Sequence, residues 1–199
     1  GSPWSAIGQV NIGGYRVAGS CTGTLIAPTV VVTAAHCLID RFRGSPFPVR
    51  DIHFLAGVHR DKNLGHSEAK CMKFPPGFRR GKVGTDIATI VLAQPLAVDP
   101  IALAEPAPFR ENRALVHAAY PADRRYQLMA DATCRTLRQM SGVWATTCDS
   151  YVGSSGGPVL VHQDDQMRLA AIMVGAGGTE TFAVPLEGWP GLPLGPDCP

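Results

Sequence analysis

The chain has 199 residues, which is long enough for one large domain or two small ones with a buried core. Hydrophobic residues make up 45% of it and charged residues 17%, which excludes a disordered tail, and a formal net charge of +2 is too small to argue for nucleic acid as a partner. No apolar stretch reaches the roughly 18 residues that a membrane span needs. Residues 41–82 are mostly basic and residues 149–197 mostly acidic, a split that we interpret as a solvated surface.

Short apolar runs rich in Val, Ile and Thr recur between turn residues, a pattern typical of β-strands. Because no long 3.6-residue periodicity accompanies them, they predict an all-β barrel or sandwich. A single helical turn is predicted at residues 34–38, directly after a strand. The predicted strands are 7–12, 21–27, 29–33, 52–56, 87–92, 114–119, 127–134, 144–148, 158–162, 169–174 and 181–184.

A proline-rich stretch at residues 93–112 interrupts this pattern near the middle of the chain. Proline cannot donate a hydrogen bond in a strand ladder, so the stretch predicts a connector that runs over the surface. We therefore expect a first unit at 1–95, a connector at 96–112 and a second unit at 113–199. The prolines of the stretch are Pro95, Pro100, Pro106 and Pro108.

The six cysteines are an even number in a chain rich in Gly and Pro, which favours disulfides and an oxidising compartment, either secreted or periplasmic. Reduced core cysteines in a cytosolic protein are the alternative. Metal binding is weaker, because the chain contains no Cys-x-x-Cys pair. His53, His59 and His66 are close in sequence, and we interpret them as surface residues, so no metal site and no cofactor are predicted.

Three motifs place chemically active side chains next to predicted strands. His36 lies just after the strand in "VVVTAAHC", Asp86 precedes the strand in "GTDIATIVL", and Ser155 lies in the glycine-rich turn of "YVGSSGGPVL". Each residue alone is more often turn filler or a satisfied core group. A nucleophilic serine needs a base, and the base needs an acid to orient it, so the three together favour nucleophilic catalysis.

In these motifs, "TAAHC", "DIA" and "GSSGGP", the chain resembles chymotrypsin/trypsin-type serine proteases of the short bacterial type, over about residues 7–184. The resemblance implies an all-β fold of two antiparallel six-stranded barrels with the active site in the cleft between them. His36 and Asp86 would belong to the first barrel and Ser155 to the second. It also implies a serine endopeptidase that acts on protein or peptide substrates without a cofactor.

The resemblance assigns a role to each residue of the motifs. Ser155 would attack the peptide carbonyl and carry the acyl group, while His36 takes the hydroxyl proton and returns it to the leaving amine. Asp86 would fix the tautomer of His36 and stabilise its imidazolium. The N–H groups of Gly153 and Ser155 would form the oxyanion hole, in which losing one donor typically costs about 2.7–4 kcal/mol of transition-state stabilisation.

The resemblance also points to a specificity pocket. Asp149 and Ser150 would form the floor of the pocket for the P1 side chain, the residue before the cleaved bond. Val174, Gly175 and Thr181 would line its walls. An aspartate on the floor implies cleavage after Arg or Lys. The alternative is that Asp149 has only a structural role upstream of the serine.

Six cysteines allow 15 pairings. The family bridges the positions of Cys21 and Cys37 across the histidine loop, so the resemblance implies that disulfide here. A second disulfide would clip the hairpin before the serine turn, and the third would tie the tail to the first unit. The two further expected pairs are Cys134–Cys148 and Cys71–Cys198.

The residue before Ser155 departs from the family pattern. Trypsin-like zymogens have an aspartate there that pairs with a new N-terminal amine, whereas this chain has Ser154. We therefore expect neutral hydrogen bonds to hold the turn. The same departure keeps a second function open, a catalytically silent relative that binds partners through the cleft. A non-enzymatic disulfide-bonded β module would leave the three motifs unexplained.

Overall fold

The structure, a computed structural model, describes residues 3–13, 19–187 and 194–198. Within these ranges the strands are all antiparallel to their neighbours. They are β1 (Ile7–Ile12), β2 (Gly19–Ala27), β3 (Val30–Thr33), β4 (Ile52–Ala56), β5 (Gly65–Lys73), β6 (Ala88–Leu92), β7 (Val116–Ala119), β8 (Met129–Asp131), β9 (Thr136–Met140), β10 (Val143–Thr146), β11 (Pro158–Gln163), β12 (Gln166–Gly177) and β13 (Glu180–Pro185). Short 3₁₀ turns lie at Pro3–Ala6, Ala35–Leu38, Val49–Asp51, Val83–Thr85 and Ala122–Arg124.

The first six strands close into a barrel in the order β1-β2-β3-β6-β5-β4. β3 and β6 are buried along their whole length, which is why both read as unbroken apolar runs in the sequence. At the centre, Phe54 is fully buried, and a Cβ on Gly8 would lie only 2.6 Å from the Cζ atom of its ring. The close packing makes the ends of β3 and β6 a rigid base for the residues that flank them.

The second unit is a seven-stranded sheet in the order β8-β7-β11-β12-β13-β10-β9. The chain just before β7 pairs with the chain just before β9, because Ala114 forms a bridge to Arg135 and the Leu115 N–H donates to the Cys134 carbonyl at 2.9 Å. Trp144 is fully buried inside the second unit. The all-β class is confirmed, but the second unit has seven strands where the resemblance implied a six-stranded barrel.

Two strands escaped sequence analysis for the same physical reason. β5 alternates exposed and buried positions over much of its length and contains few β-branched residues. Most of β9 is exposed. Neither strand therefore presents an apolar run in the sequence. The helical turn expected at 34–38 is present as the 3₁₀ turn Ala35–Leu38. No helix in the described part of the chain is long and apolar enough to cross a membrane.

Buried polar contacts join the two units. Tyr120, which follows β7, reaches the first barrel, where its hydroxyl donates to the Val58 carbonyl at 3.1 Å. Burial raises the pKa of Tyr120 to about 12, so the hydroxyl stays protonated at neutral pH. The Gln9 side chain of β1 likewise donates to the Arg125 carbonyl of the second unit.

Three disulfides are present, and their pairing is the expected one. Cys71–Cys198 connects β5 of the first barrel to the end of the chain across 127 residues. Beside it the Lys73 ammonium donates to the carbonyls of Gly195 and Asp197. The described end of the tail is therefore held against the first barrel by a covalent bond and by hydrogen bonds. The other two pairs are Cys21–Cys37 and Cys134–Cys148.

Candidate active site

His36 and Asp86 lie side by side because their strands are paired. His36 is in the turn after β3, Asp86 lies just before β6, and Thr33 pairs with Ala88 across the two strands. The Asp86 carboxylate accepts the backbone N–H of His36 at 2.8 Å through Oδ1 and lies 2.6 Å from the imidazole Nδ1 through Oδ2. These two contacts fix the position and the orientation of the imidazole, whose other nitrogen, Nε2, faces away from the carboxylate.

Ser155 comes from the second unit and lies beside the histidine loop. Its carbonyl accepts the Thr22 N–H at 2.8 Å and lies 3.8 Å from the sulfur of Cys37. The Nε2 atom of His36 lies 3.9 Å from the same sulfur. The fold therefore brings the main chain of Ser155 and the Nε2 atom of His36 each within 4 Å of the Cys37 sulfur.

Residues 153–157, which we call the serine turn, hold two peptide groups in a defined orientation. The carbonyl of Val152 accepts the Ala122 N–H at 2.7 Å, and the carbonyl of Ser154 accepts the Gly157 N–H at 2.9 Å. In a trans peptide the N–H points away from the carbonyl, so the N–H groups of Gly153 and Ser155 point away from these partners. Neither of the two N–H groups has an acceptor among the described residues.

Two glycines of the serine turn have no substitute among L-residues. Gly153 has φ +95°, and a Cβ there would lie 2.7 Å from the Tyr120 carbonyl oxygen. Gly156 has φ +82°, and a Cβ would lie 2.1 Å from the Thr22 carbonyl oxygen. Left-handed backbone together with contacts this short requires glycine at both positions.

Ser154 is almost fully buried, with 1% of its surface exposed, and its hydrogen bonds with other described residues are all neutral. Its Oγ accepts the backbone N–H of Tyr151 at 3.1 Å. Together with the carbonyl bonds of Val152 and Ser154, this contact closes the turn without any charge pair. The expectation of a turn held by neutral hydrogen bonds agrees with these contacts.

Thr22 contacts the serine turn, and sequence reasoning missed it. It is fully buried on β2, and its hydroxyl donates to the Gly153 carbonyl at 3.0 Å while it accepts the Tyr120 N–H at 2.9 Å. With its backbone bond to Ser155, Thr22 joins the first barrel to the serine turn at two points and to Tyr120 at a third. The stretch "CTGTL" carries no signal for this role, because a threonine on a strand is common.

The structure places the predicted pocket residues in two groups. Asp149 is exposed and lines a cleft of about 160 Å³ with Asp131, His117 and Ser154. Its own N–H donates to the Asp131 carboxylate at 3.1 Å. Burial opposes ionisation of Asp131, but hydrogen bonds from Thr133 and Asp149 outweigh it and lower the pKa of Asp131.

The wall residues lie on the neighbouring strands. Val174 and Gly175 belong to β12 and are not among the residues that line the cleft of Asp149. Thr181 is buried on β13, where its hydroxyl lies 3.0 Å from the Cys148 carbonyl and so supports the chain just before Asp149. Ser150 is half-buried.

His117 is a buried titratable group behind the serine turn. Its Nδ1–H donates to the Pro158 carbonyl at 3.0 Å, while its Nε2 is buried without a partner among the described residues. Burial lowers the pKa of His117, although the bond to Pro158 and the nearby carboxylates of Asp131 and Asp149 act in the opposite direction. The imidazole is therefore held in its neutral form.

One group of three potential metal ligands occurs in the described ranges, Cys21, His36 and Cys37. Its two sulfurs are joined in a disulfide, so they are not available to bind a metal. Elsewhere, Nδ1 of His53 lies 3.0 Å from Nε2 of His66, and burial together with His53 lowers the pKa of His66. Two of the three histidines singled out in the sequence are thus paired on the barrel surface.

Comparisons with known proteins agree with this arrangement. The trypsin family matches residues 1–185. The glutamyl endopeptidase of Bacillus licheniformis is 27% identical over 153 residues, which cover 71% of this chain and 45% of that protein. The chain thus spans less than half the length of this curated relative.

Solved structures share the fold. A Glu endopeptidase in complex with MPD superposes with a TM-score of 0.77 at 21% identity, covering 92% of this chain and 86% of the other. A thermostable serine protease, AL20, from an extremophilic microorganism gives a TM-score of 0.71 at 20% identity, covering 92% and 91%. The paired His36 and Asp86, the serine turn beside them and these matches lead to one conclusion: the chain belongs to the trypsin family of serine proteases and has the chymotrypsin-like fold.

Proposed function

We propose that the chain is a serine endopeptidase in which Ser155 is the nucleophile, His36 the general base and Asp86 the residue that orients His36. The observation that carries the proposal is that Ser155 and His36 both lie close to Cys37. The Cys37 sulfur is within 4 Å of the Ser155 carbonyl oxygen and of His36 Nε2. The 2.6 Å contact between His36 Nδ1 and Asp86 leaves Nε2 as the nitrogen that accepts a proton.

The reaction follows from these positions. As Ser155 Oγ bonds to the peptide carbonyl carbon, its proton passes to Nε2 of His36. The tetrahedral intermediate then breaks the C–N bond, and His36 gives the proton to the leaving amine, which leaves an acyl group on Ser155. Water attacks the acyl carbon with His36 again acting as base, and the carboxylic acid product leaves as the Ser155 hydroxyl is restored.

The N–H groups of Gly153 and Ser155 are the proposed oxyanion hole. Their freedom from other acceptors among the described residues supports this role, as do the carbonyl bonds that orient their peptides. Because the contacts of Ser154 with other described residues are neutral, we propose that an inserted N-terminal amine is not needed to form the hole. A precursor with an uncleaved N-terminal extension should then already hydrolyse ester substrates, and a precursor that stays inactive until it is cut would contradict this.

For the P1 residue we propose Arg or Lys. The support is Asp149, an exposed carboxylate six residues before Ser155 that takes part in no ion pair found between described residues. Glu is the second candidate, because the Bacillus licheniformis relative is named for it. A carboxylate at P1 would be repelled by Asp149 if both share one pocket.

A panel of peptides that differ only at P1 separates the candidates. We expect kcat/KM to be highest for Arg and Lys and to fall for both in an Asp149→Asn variant. Faster cleavage after Glu in the wild-type protein would remove Asp149 from the pocket and favour the second candidate. Faster cleavage after Phe or Ala would contradict both candidates, the preference for Arg or Lys and the preference for Glu.

The proposed location is outside the cytosol, either secreted or periplasmic. Three disulfides support it, because bonds of this kind persist in oxidising compartments. Peptides or proteins are the proposed substrates, and the reaction needs no cofactor.

Covalent labelling tests the proposed activity against the silent relative. A fluorophosphonate probe should modify the protein at one site, and mass spectrometry of the digested protein should place the label on Ser155. The Ser155→Ala variant should not react. A folded wild-type protein that stays unlabelled would contradict the proposal and favour a silent relative that only binds partners.

A further inference from the structure

A cleft of about 640 Å³ opens beside His36 and Asp86. Two loops of the first barrel form its rim, at residues 39–47 and 78–83, and the Cys21–Cys37 disulfide lies in its wall. A polypeptide that reaches His36 from this side must pass along the rim. The charges of the rim therefore act on the substrate before and during binding.

The acidic groups of the cleft are already engaged. Asp86 contacts His36. The Asp40 carboxylate accepts the N–H groups of Phe42 at 2.8 Å and Arg43 at 3.2 Å, and the Phe42 bond is the main cause of its lowered pKa. Asp40 thus shapes its own loop, lies 3.6 Å from the Arg43 guanidinium and also interacts electrostatically with Arg41, while Asp86 is occupied by His36.

Four cations line the cleft and take part in no ion pair found between described residues. Arg80 donates through Nη2 to the Arg41 carbonyl at 2.9 Å, which ties the two loops together without an ion pair. All four side chains belong to exposed residues. They are Arg41, Arg79, Arg80 and Lys82.

Aromatic side chains accompany these cations. Phe42 is 85% exposed on one loop, and half-buried Phe78 stacks on Phe74 at 5.0 Å on the other. A mixed basic and aromatic surface suits a polypeptide that carries acidic and apolar side chains. A long polyanion such as nucleic acid is less favoured, because the net charge of the whole chain is only +2.

We infer that this cleft, which we call the basic cleft, is a subsite for acidic side chains of the substrate at positions other than P1. The inference rests on the proposed function, because it concerns the peptide that the enzyme cleaves. Guanidinium groups bind carboxylates in bidentate fashion, which gives Arg79 and Arg80 geometric as well as electrostatic selectivity. The basic stretch between residues 41 and 82 then contributes to substrate choice as well as to solvation.

Matched peptides test the inference. One fluorogenic peptide with a fixed P1 residue is made with paired Glu or paired Gln, at P4–P3 in one set and at P2′–P3′ in another. In at least one set we expect kcat/KM to be about fivefold higher for Glu at low salt, which is about 1 kcal/mol for two exposed ion pairs together. The preference should shrink towards one in about 0.5 M NaCl, because salt screens exposed charges.

The same peptides locate the effect. Arg79→Gln combined with Arg80→Gln should bring the Glu to Gln ratio close to one, whereas Lys70→Gln, an exposed cation of the first barrel outside the cleft, should keep it. If the wild-type protein cleaves no peptide, the proposed function fails. Equal cleavage of the Glu and Gln peptides would overturn the inference but not the proposed function. A preference for Glu that survives the double substitution would also overturn it. So would strong inhibition by a short oligonucleotide in a protein that shows no preference for Glu.

Discussion

The serine turn and the rim of the basic cleft flank the same histidine but are built by opposite means. Around Gly153 and Ser154 the partners are backbone groups and hydroxyls in a buried setting, and none of the contacts that hold the turn is an ion pair. The rim carries long, exposed, charged side chains such as Arg79 and Lys82. Buried neutral bonds fix geometry and are insensitive to salt, whereas exposed charges attract ligands in a salt-dependent way.

The comparison separates two kinds of kinetic effect. Changes in the serine turn should lower kcat, because they disturb groups that act in the transition state. Changes on the rim should alter KM and the salt dependence with little effect on kcat, because they affect attraction of the substrate. The three predictions below test the buried half of the comparison, from the largest expected effect to the smallest.

The largest effect is expected from Gly153→Ala. Gly153 has φ +95°, and the substitution places a Cβ 2.7 Å from the Tyr120 carbonyl oxygen. The turn must therefore shift, which moves its N–H groups out of the orientation that an oxyanion requires. We expect kcat/KM to fall about 100- to 1000-fold, the usual effect of losing an oxyanion donor. Ester hydrolysis measures the loss, and circular dichroism shows whether the fold is kept.

Gly142→Ala is the matched control for that variant. Gly142 also has a positive φ, +76°, but a Cβ there meets nothing within 4 Å. It should show a small loss of stability and keep its activity. Similar activity losses in both variants would mean that backbone strain anywhere in the second unit, and not the geometry of the serine turn, controls catalysis.

A smaller effect is expected from Thr22→Val. The change removes one hydroxyl and leaves the Gly153 carbonyl and the Tyr120 N–H without their partner. The free energy of unfolding should decrease by about 1–3 kcal/mol, the cost of buried polar groups left unpaired. Because the Gly153 carbonyl is released, kcat should also fall about tenfold, equivalent to about 1.4 kcal/mol, with KM little changed.

Thr24→Val supplies the control for this prediction on the same strand. Thr24 is fully buried like Thr22, but its hydroxyl has no partner in the described part of the chain. Replacing it with valine should leave both activity and stability unchanged or slightly raise stability. If the two variants behave alike, Thr22 does not position the serine turn.

The smallest effect concerns pH. Burial lowers the pKa of His117 below its ordinary value of 6.5. As the pH falls below 6.5, His117 therefore becomes protonated in the unfolded chain while it stays neutral in the native state. The stabilising effect is present above pH 6.5 and is lost as the pH falls below it, by at most about 1.4 kcal/mol per pH unit for one proton. Chemical denaturation from pH 7 to pH 5 measures the slope, which His117→Asn should reduce.

Exposed His162 serves as the control for the pH effect. His162→Asn should leave the slope of stability against pH unchanged, because an exposed imidazole keeps its hydration in both states. A slope that is the same in the wild-type protein and in His117→Asn would assign the acid sensitivity to other groups.

Much of the site could be predicted from sequence because its chemistry is concentrated in short motifs. His36, Asp86 and the glycines around Ser155 are recognisable residue types at strand ends, and the paired strands β3 and β6 do bring the first two together. Thr22 could not be predicted, because its role depends on a chain 131 residues away in sequence.

The fold divides in the same way. Strands with unbroken apolar runs were found, whereas β5 and β9 were missed because their polar and exposed residues resemble loops. The basic stretch was visible in the sequence, but nothing in the sequence indicates that the loops at 39–47 and 78–83 meet beside His36. The spacing of residues along the chain does not predict which distant loops lie side by side, because that depends on how the barrel closes.

The Cys71–Cys198 bond has a consequence for how the molecule survives a cut in its backbone. A single cut in the long segment between β6 and β7 would sever the backbone between the two units, yet this bond still links one unit to the other. The fragments would remain at high local concentration and could keep the cleft assembled. A nicked molecule would thus migrate as one species without reductant and as two after reduction.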